Sequence, residues 1–202
     1  MFQKSGTIIT QKLLCLLLLA TGRRIDEVGH LASKTSSLDK GNALQFHWMG
    51  DYSPKHFTES FIPKKPVVCR LQSDDAVILQ LCPMRALNIY FNKLGLNARR
   101  VSKGSLWKFD TKGLTRLFNL TVLQSRQRKK FLDNIPIGPH QVRKFAASYS
   151  FIKIGSSKTL EKLLIDRMGC SSMTILRKNY IAEVPELLYN CVLPIGTFNV
   201  TE

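Results

Sequence analysis

The side chains best able to do chemistry in this chain stand in three short segments. Ala20-Thr21-Gly22-Arg23-Arg24-Ile25-Asp26-Glu27-Val28 carries Arg24 and Glu27. Gly138-Pro139-His140-Gln141-Val142-Arg143-Lys144 sets His140 and Arg143 one helical turn apart, so that they share a face. Met168-Gly169-Cys170-Ser171-Ser172 is followed by Tyr180. Together they offer a phenol, two guanidiniums and an imidazole. A tyrosine can break a phosphodiester without water by keeping the bond energy in a covalent ester. Two arginines can clamp the oxygens that gain charge in the transition state, because they are always charged and donate in pairs; no metal is required. A histidine can donate a hydrogen bond or move a proton. Taken singly, each residue also has an ordinary reading. Arg24 reads as a surface arginine, His140–Arg143 as a solvated or capping pair, and Tyr180, after the apolar Ile175 and Leu176, as a packed core side chain. Glu27 reads as a structural partner that orients an arginine or the helix. Cys170 could be a thiol nucleophile, but no base stands near it in the sequence.

Other chemistries find little support. The five cysteines, Cys15, Cys69, Cys82, Cys170 and Cys191, are odd in number and form no C-x-x-C, which argues against a disulfide framework and a zinc ribbon. His30, His47, His56 and His140 do not pair at ligand spacing. No Gly-rich phosphate loop, dinucleotide fingerprint, G-x-S-x-G or H-E-x-x-H occurs. The expectation is therefore no cofactor and no metal.

The elements that must position these residues are mostly helical. Residues 8–20, with the run Leu13 to Ala20, predict a buried helix that stops near Gly22, and residues 23–32 a second helix. Ser33 to Asn42 predicts a turn-rich loop. Leu44, Phe46 and Trp48 alternate with polar residues and predict a strand; Lys55 to Phe61 and Val67 to Leu71 are further strand candidates. Pro83 opens a helix on which Met84, Leu87, Phe91 and Leu94 line one face, with Gly95 as its cap. Asn97 to Ser105 predicts a basic loop, Lys112 to Val122 a helix, and Ser125 to Lys130 a basic surface segment. Pro139 opens another helix. Leu160, Leu163, Leu164 and Met168 mark a helix ended by Gly169, and Ser171 is placed to cap one more. The fold class expected is mainly α with a small antiparallel β-sheet.

Read together and in order, the three segments resemble the catalytic domain of the tyrosine recombinase (phage integrase) family. Its first arginine box is TG-x-R-x-x-E-[VL], its second H-x-x-R, and its third G-[HW]-S-S followed by a tyrosine. The surrounding text, CPMRAL, GPHQVRKFAASYS and SSMTILRKNY, is most similar to the recombinases of DIRS-like or Crypton-like eukaryotic mobile elements. The resemblance spans roughly residues 10–182. It implies Tyr180 as nucleophile, Arg24, His140 and Arg143 as phosphate ligands, and a sheet lysine that protonates the leaving oxygen. Lys55 fits that lysine by position, with Lys64 and Lys65 as competitors. Cys170 stands where the family carries His or Trp, and a thiol is a weaker donor of shorter reach. The resemblance further implies a catalytic domain over residues 1–184 without the family's helical N-terminal core-binding domain; Pro185, Pro194 and Gly196 predict an extended tail over 185–202.

Charge agrees with a polyanionic partner. The chain of 202 residues carries 30 Lys+Arg against 14 Asp+Glu, a net charge of +16. Arg99, Arg100 and Lys103 form one basic patch; Arg126, Arg128, Lys129 and Lys130 form another, which also reads as a nuclear-import signal. The expected partner is double-stranded DNA, bound by a homotetramer, with no membrane and no small-molecule substrate, in the nucleus or else the cytoplasm. Two rival readings stand beside this one. The same fold could persist as a DNA- or protein-binding remnant, or residues 1–22 could be the leader of a small basic secreted protein.

Overall fold

A computed structural model describes residues 2–50, 52–55, 62–93, 104–129, 135, 137–154 and 157–181. The apolar run Leu13–Ala20 lies within α1 (Phe2–Thr21), and Leu13, Leu14, Leu17 and Leu18 are buried on several of its faces. A helix apolar nearly all round must be enclosed. Here α4 (Pro83–Lys93), α5 (Thr111–Arg128), α6 (Pro139–Ile154) and strand β3 (Val67–Cys69) enclose it. The run read above as a possible leader is thus the central helix of the main core. No helix among the described residues is long and apolar enough to cross a membrane.

Gly22 ends α1 in the left-handed region at φ 61°, donating its N–H to the Leu18 carbonyl at 3.0 Å. The second helix is shorter than expected: α2 covers only Ile25–Gly29. The chain then enters strand β1 (Leu31–Leu38), so the loop expected over 33–42 is mostly strand. β1 reads as a loop because its side chains are Ser, Thr and Lys, with only Leu31 and Ala32 buried. Pairing with strand β2 (Ala43–Trp48) imposes the extended form, a case of tertiary context overriding propensity. A bulge between Leu31 and Thr35 breaks that ladder, and Lys40 and Gly41, both at positive φ, turn the chain between the strands. β3 adds antiparallel to β2 through Ala43↔Cys69 and Leu44↔Val68, giving the order β1-β2-β3. Lys55 occupies a turn; residues 56–61, the rest of that strand candidate, lie outside the described residues, as do Leu94, Gly95 and the tail over 185–202.

Past the short α3 (Ala76–Leu79), α4 buries Met84 and Leu87 as expected, but Tyr90 rather than the half-buried Phe91 continues the buried face. α5 is longer than expected at both ends. Asp110 caps it through Gly113 N–H at 2.7 Å, and the helix runs through Ser125–Arg128, which had read as a surface segment. Ser157 caps α7 (Lys158–Met168), and Gly169 closes it at φ 61°. Ser172, one residue later than expected, caps α8 (Met173–Tyr180). Helices α6, α7 and α8 form a second, smaller core from Ala147, Leu164, Met168, Leu176 and Tyr180. The α1–α2 junction meets the end of α7 where the two cores join.

Gly169 is the tightest point of that junction. A Cβ there would sit 1.7 Å from Arg23 Nη1, on a backbone at φ 61°. Gly169→Ala is therefore expected to cost more than about 2 kcal/mol by denaturant unfolding. Gly50→Ala, whose added Cβ meets nothing within 4 Å, should change stability far less.

Candidate active site

Arg24, two residues beyond the left-handed Gly22, is extended and stands at the N-cap of α2. One turn on, the buried carboxylate of Glu27 accepts a hydrogen bond from Arg24 Nη1 at 3.1 Å. That contact turns the guanidinium toward the end of α8, where Arg24 Nη2 donates to the Tyr180 hydroxyl at 2.9 Å. The Tyr180 carbonyl accepts from Ser148 Oγ of α6 at 3.2 Å, fixing the end of the helix that carries the phenol. His140, in the first turn of α6, packs its ring at 55° to that of Tyr180, with centroids 5.6 Å apart. Arg143, one turn further along α6, lays its Cζ 4.4 Å from the centre of the same ring. The structure thus gathers Arg24, His140, Arg143 and Tyr180 around one phenol.

Arg143 is 1% exposed and engaged with the backbone. Nη1 donates to the Gly22 carbonyl at 2.8 Å, and Nη2 to the Met168 carbonyl at 2.8 Å. Cys170 joins the group by presenting Sγ to Arg143 Nη2 at 3.5 Å. Its thiol is an acceptor there, not a donor aimed outward. Burial raises the Cys170 pKa against the opposing pull of Arg143, Arg24 and Arg23, so the thiol is neutral at pH 7 and lacks thiolate character. Desolvation, then Lys144, Arg143 and Arg24, hold the His140 pKa below the ordinary 6.5, so the imidazole is neutral at pH 7. Burial draws Arg24 downward, but Tyr180 and Glu27 outweigh it and leave the Arg24 pKa raised.

Arg23 and Arg167 carried no signal in the sequence, and both belong to this junction. Arg23 is fully buried; its Nη2 donates to the Asp166 carbonyl at 2.9 Å and to the Lys64 carbonyl. Its Nη1 lies 3.7 Å from Glu27 Oε2, so one carboxylate serves both Arg23 and Arg24. Arg167 donates through Nε to the Ala20 carbonyl at 2.8 Å. Only their neighbours in space distinguish these arginines from surface ones.

Lys55 stands in an exposed turn and has no hydrogen bond or ion pair among the described residues. Lys64 pairs with Asp166 at 2.9 Å, and Lys65 reaches His47 Nδ1 at 3.2 Å. All three lysines lie on the connection between β2 and β3. In the second basic patch, Arg126 and Arg128 occupy the last turn of α5 and Lys129 follows it; Arg126 donates to the Ile135 carbonyl at 2.6 Å. Arg99, Arg100, Lys103 and Lys130 lie outside the described residues. Among the described residues no group of three or more His, Cys, Asp or Glu could hold a metal ion.

A solved structure shares this arrangement of elements. The crystal structure of XerA recombinase matches with a TM-score of 0.51 at 16% sequence identity, over 87% of this chain and 59% of that one. The chain has the fold of a tyrosine recombinase, mostly helical with one small antiparallel sheet. It spans 59% of the length of the recombinase chain it matches. No family model and no curated protein matches the sequence.

Among the described residues Glu27 is the one buried carboxylate facing two arginines, so its charge should matter more than its shape. Glu27→Gln is expected to destabilise the fold by about 3 kcal/mol, because Arg23 would keep its buried charge and lose its counter-ion. Denaturant unfolding measures this directly.

Proposed function

We propose that this chain cleaves and rejoins double-stranded DNA through a 3′-phosphotyrosyl intermediate. The observation that carries the reading is the 2.9 Å contact of Arg24 with the Tyr180 hydroxyl, with His140 and Arg143 packed on the same ring. In the forward step the Tyr180 oxygen bonds to the scissile phosphorus as the bond from phosphorus to the 5′ oxygen breaks. Neutral His140 accepts the phenol proton, and Arg24 meets the charge that develops on the phenol oxygen. Arg24, with its side chain 25% exposed, and His140 are the groups a phosphate oxygen can reach; Arg143 adds its charge from beneath the ring. The leaving 5′ oxygen takes its proton from a lysine of the β2–β3 connection, where Lys55, Lys64 and Lys65 stand. Rejoining reverses these transfers, with a 5′ hydroxyl attacking the tyrosyl ester.

The net charge of +16 and the exposed Arg128 and Lys129 support duplex DNA as the partner. Strand exchange between two duplexes requires more than one active site, which supports a tetramer on DNA. The likeness of the local text to mobile-element recombinases supports an origin in a eukaryotic mobile element, and the basic run from Arg126 to Lys130 supports a place in the nucleus. A second reading is favoured by Arg143 and Cys170. With both Nη atoms of Arg143 on main-chain carbonyls and a thiol in place of an outward donor, the chain could bind DNA and cleave it weakly.

Covalent trapping separates the two. Purified chain is incubated with a pool of nicked duplexes of random sequence, which lose a short end on cleavage, and run on a denaturing gel. A retarded band that Tyr180→Phe abolishes is expected; salt-sensitive DNA binding with no band would establish the binding module instead. Cleavage should also depend on pH in a defined direction. His140 must be neutral to accept the proton, and its pKa lies below 6.5. The cleavage rate should hold at neutral pH and fall as pH drops through that lowered value, and His140→Gln should flatten the acid limb.

A further inference from the structure

The outer face of the sheet gathers positive charge outside the group around Tyr180. Phe46 and Val68 are buried in the main core, so their neighbours along β2 and β3 point the other way. The pairing then sets basic groups side by side. Gln45 pairs with Val67, and Phe46 N–H bonds to the Pro66 carbonyl at 2.8 Å, so the next step along places His47 beside Lys65. On the other side Thr35 pairs with Phe46, and Lys34 is the next residue along β1. Lys34, His47 and Lys65 thus stand in a row across three neighbouring lengths of chain, with both lysines exposed. Among the described residues no carboxylate pairs with any of the three. Like charges set opposite one another weaken a sheet.

The contacts of His47 show how the row is tolerated. Lys65 Nζ lies 3.2 Å from His47 Nδ1, and an ammonium can only donate, so Nδ1 is the bare nitrogen. Nε2 then carries the hydrogen and donates to Ser36 Oγ of β1 at 2.8 Å. The ring is a neutral spacer between two ammoniums. Desolvation, then Lys65 and Lys34, hold its pKa below the ordinary 6.5. These two lysines are the charges that face it, Lys34 from β1 and Lys65 from the β2–β3 connection; β3 offers only the Cys69 thiol, on the residue paired with Ala43. An anion between the ammoniums reverses the balance. It draws Lys65 off Nδ1, pairs with both lysines and favours the imidazolium, whose Nδ1–H becomes a third donor to it.

Resting on the duplex-DNA reading above, we infer that Lys34, His47 and Lys65 form a phosphate site on the outer face of the sheet, and that His47 takes one proton from solvent as a DNA backbone phosphate seats there. No bond to phosphorus forms or breaks at this site; it grips the backbone whatever the base sequence. The phosphate raises the His47 pKa in the complex. The added affinity is therefore complete below the free-state pKa and is lost as pH rises through the bound-state pKa.

The test counts protons. A Tyr180→Phe chain is used throughout, so that binding is read without cleavage. Its binding to a duplex of random sequence is followed by fluorescence anisotropy at fixed salt from about pH 8 to about pH 6, and by calorimetry in two buffers of different protonation enthalpy, which gives the protons taken up per complex. Adding His47→Gln is expected to remove about one proton from that count. It should weaken binding about 10-fold at the acid end and little at the alkaline end, where His47 is neutral in any case. The same loss should appear when His140 is also changed to Gln, since the two imidazoles serve different phosphates. Lys34 is exposed, so Lys34→Ala should fold normally; it is expected to weaken binding across the range and to lower the slope of log affinity against log salt by about 0.9. An unchanged proton count in His47→Gln, or an unchanged salt slope in Lys34→Ala, with duplex binding intact, would overturn the phosphate site and leave the DNA reading standing. No salt-sensitive binding of duplex DNA by the Tyr180→Phe chain would remove the DNA reading and this inference with it.

Discussion

Two helix ends face one another in this molecule, and three arginines keep them together. Helices α1 and α7 both finish in a left-handed glycine, Gly22 and Gly169, each at φ 61°. Their last carbonyls carry partial negative charge and would repel if left alone. The remedy is reciprocal. Arg167 of α7 donates to Ala20 of α1; Arg23, just after α1, donates to Asp166 of α7; Arg143 of α6 bridges Gly22 and Met168. Each guanidinium adds a donor to carbonyls at these helix ends, including that of Asp166, which also accepts from Gly169 N–H at 3.2 Å. Three of the candidate catalytic groups leave from this clasp: Arg24 stands two residues beyond the first glycine, Cys170 follows the second, and Tyr180 ends the helix that begins three residues beyond Cys170.

The clasp concentrates positive charge where little else offsets it. Burial lowers the Arg23 and Arg167 pKa values to about 10, which still leaves both charged at neutral pH. Among the described carboxylates, Glu27 alone is buried against the arginines, and it is divided between Arg23 and Arg24. Carbonyl dipoles carry the remaining compensation, and Arg23 Nε, Arg23 Nη1 and Arg143 Nε have no hydrogen-bond partner. Each such group costs about 1–3 kcal/mol. A fold that tolerates this holds its cations in place before any anion arrives, which is the arrangement that electrostatic stabilisation of a transition state needs.

How much of this the sequence discloses depends on whether a residue's role is periodic or spatial. The helices on α4 and α7 and the strand β2 are legible because their apolar spacing follows 3.6 or 2 residues. The Leu-rich run of α1 is legible as buried helix, though not as the hub it becomes. β1 is illegible because its polar side chains hold no alternation and its conformation comes from its partner. Arg24, His140, Arg143 and Tyr180 are each ambiguous alone and become readable only as an ordered set; the structure then brings that set within contact of one ring. Arg23 could not be separated from the lysine- and arginine-rich background, since nothing before folding distinguishes a buried arginine from a solvated one. A fold shared at 16% identity is what such a division would produce: spatial constraints persist while most local text changes.

Cys170 shows how a departure in sequence can still fit the geometry. Its side chain is 3% exposed and packed in the smaller core, with sulfur facing Arg143. An imidazole or indole there would need volume now filled by Arg143 and by the neighbouring arginine at Gly169, where even one added carbon meets Arg23 at 1.7 Å. Small residues at 169 and 170 are thus the counterpart of large, buried arginines at 23 and 143. Where a His or Trp could aim a donor outward, the chain holds guanidiniums inward. On the cleavage reading, this leaves the phosphate to Arg24, His140 and a lysine of the β2–β3 connection, and makes the rigidity of the clasp, which fixes all three relative to Tyr180, the quantity that sets how well the site works.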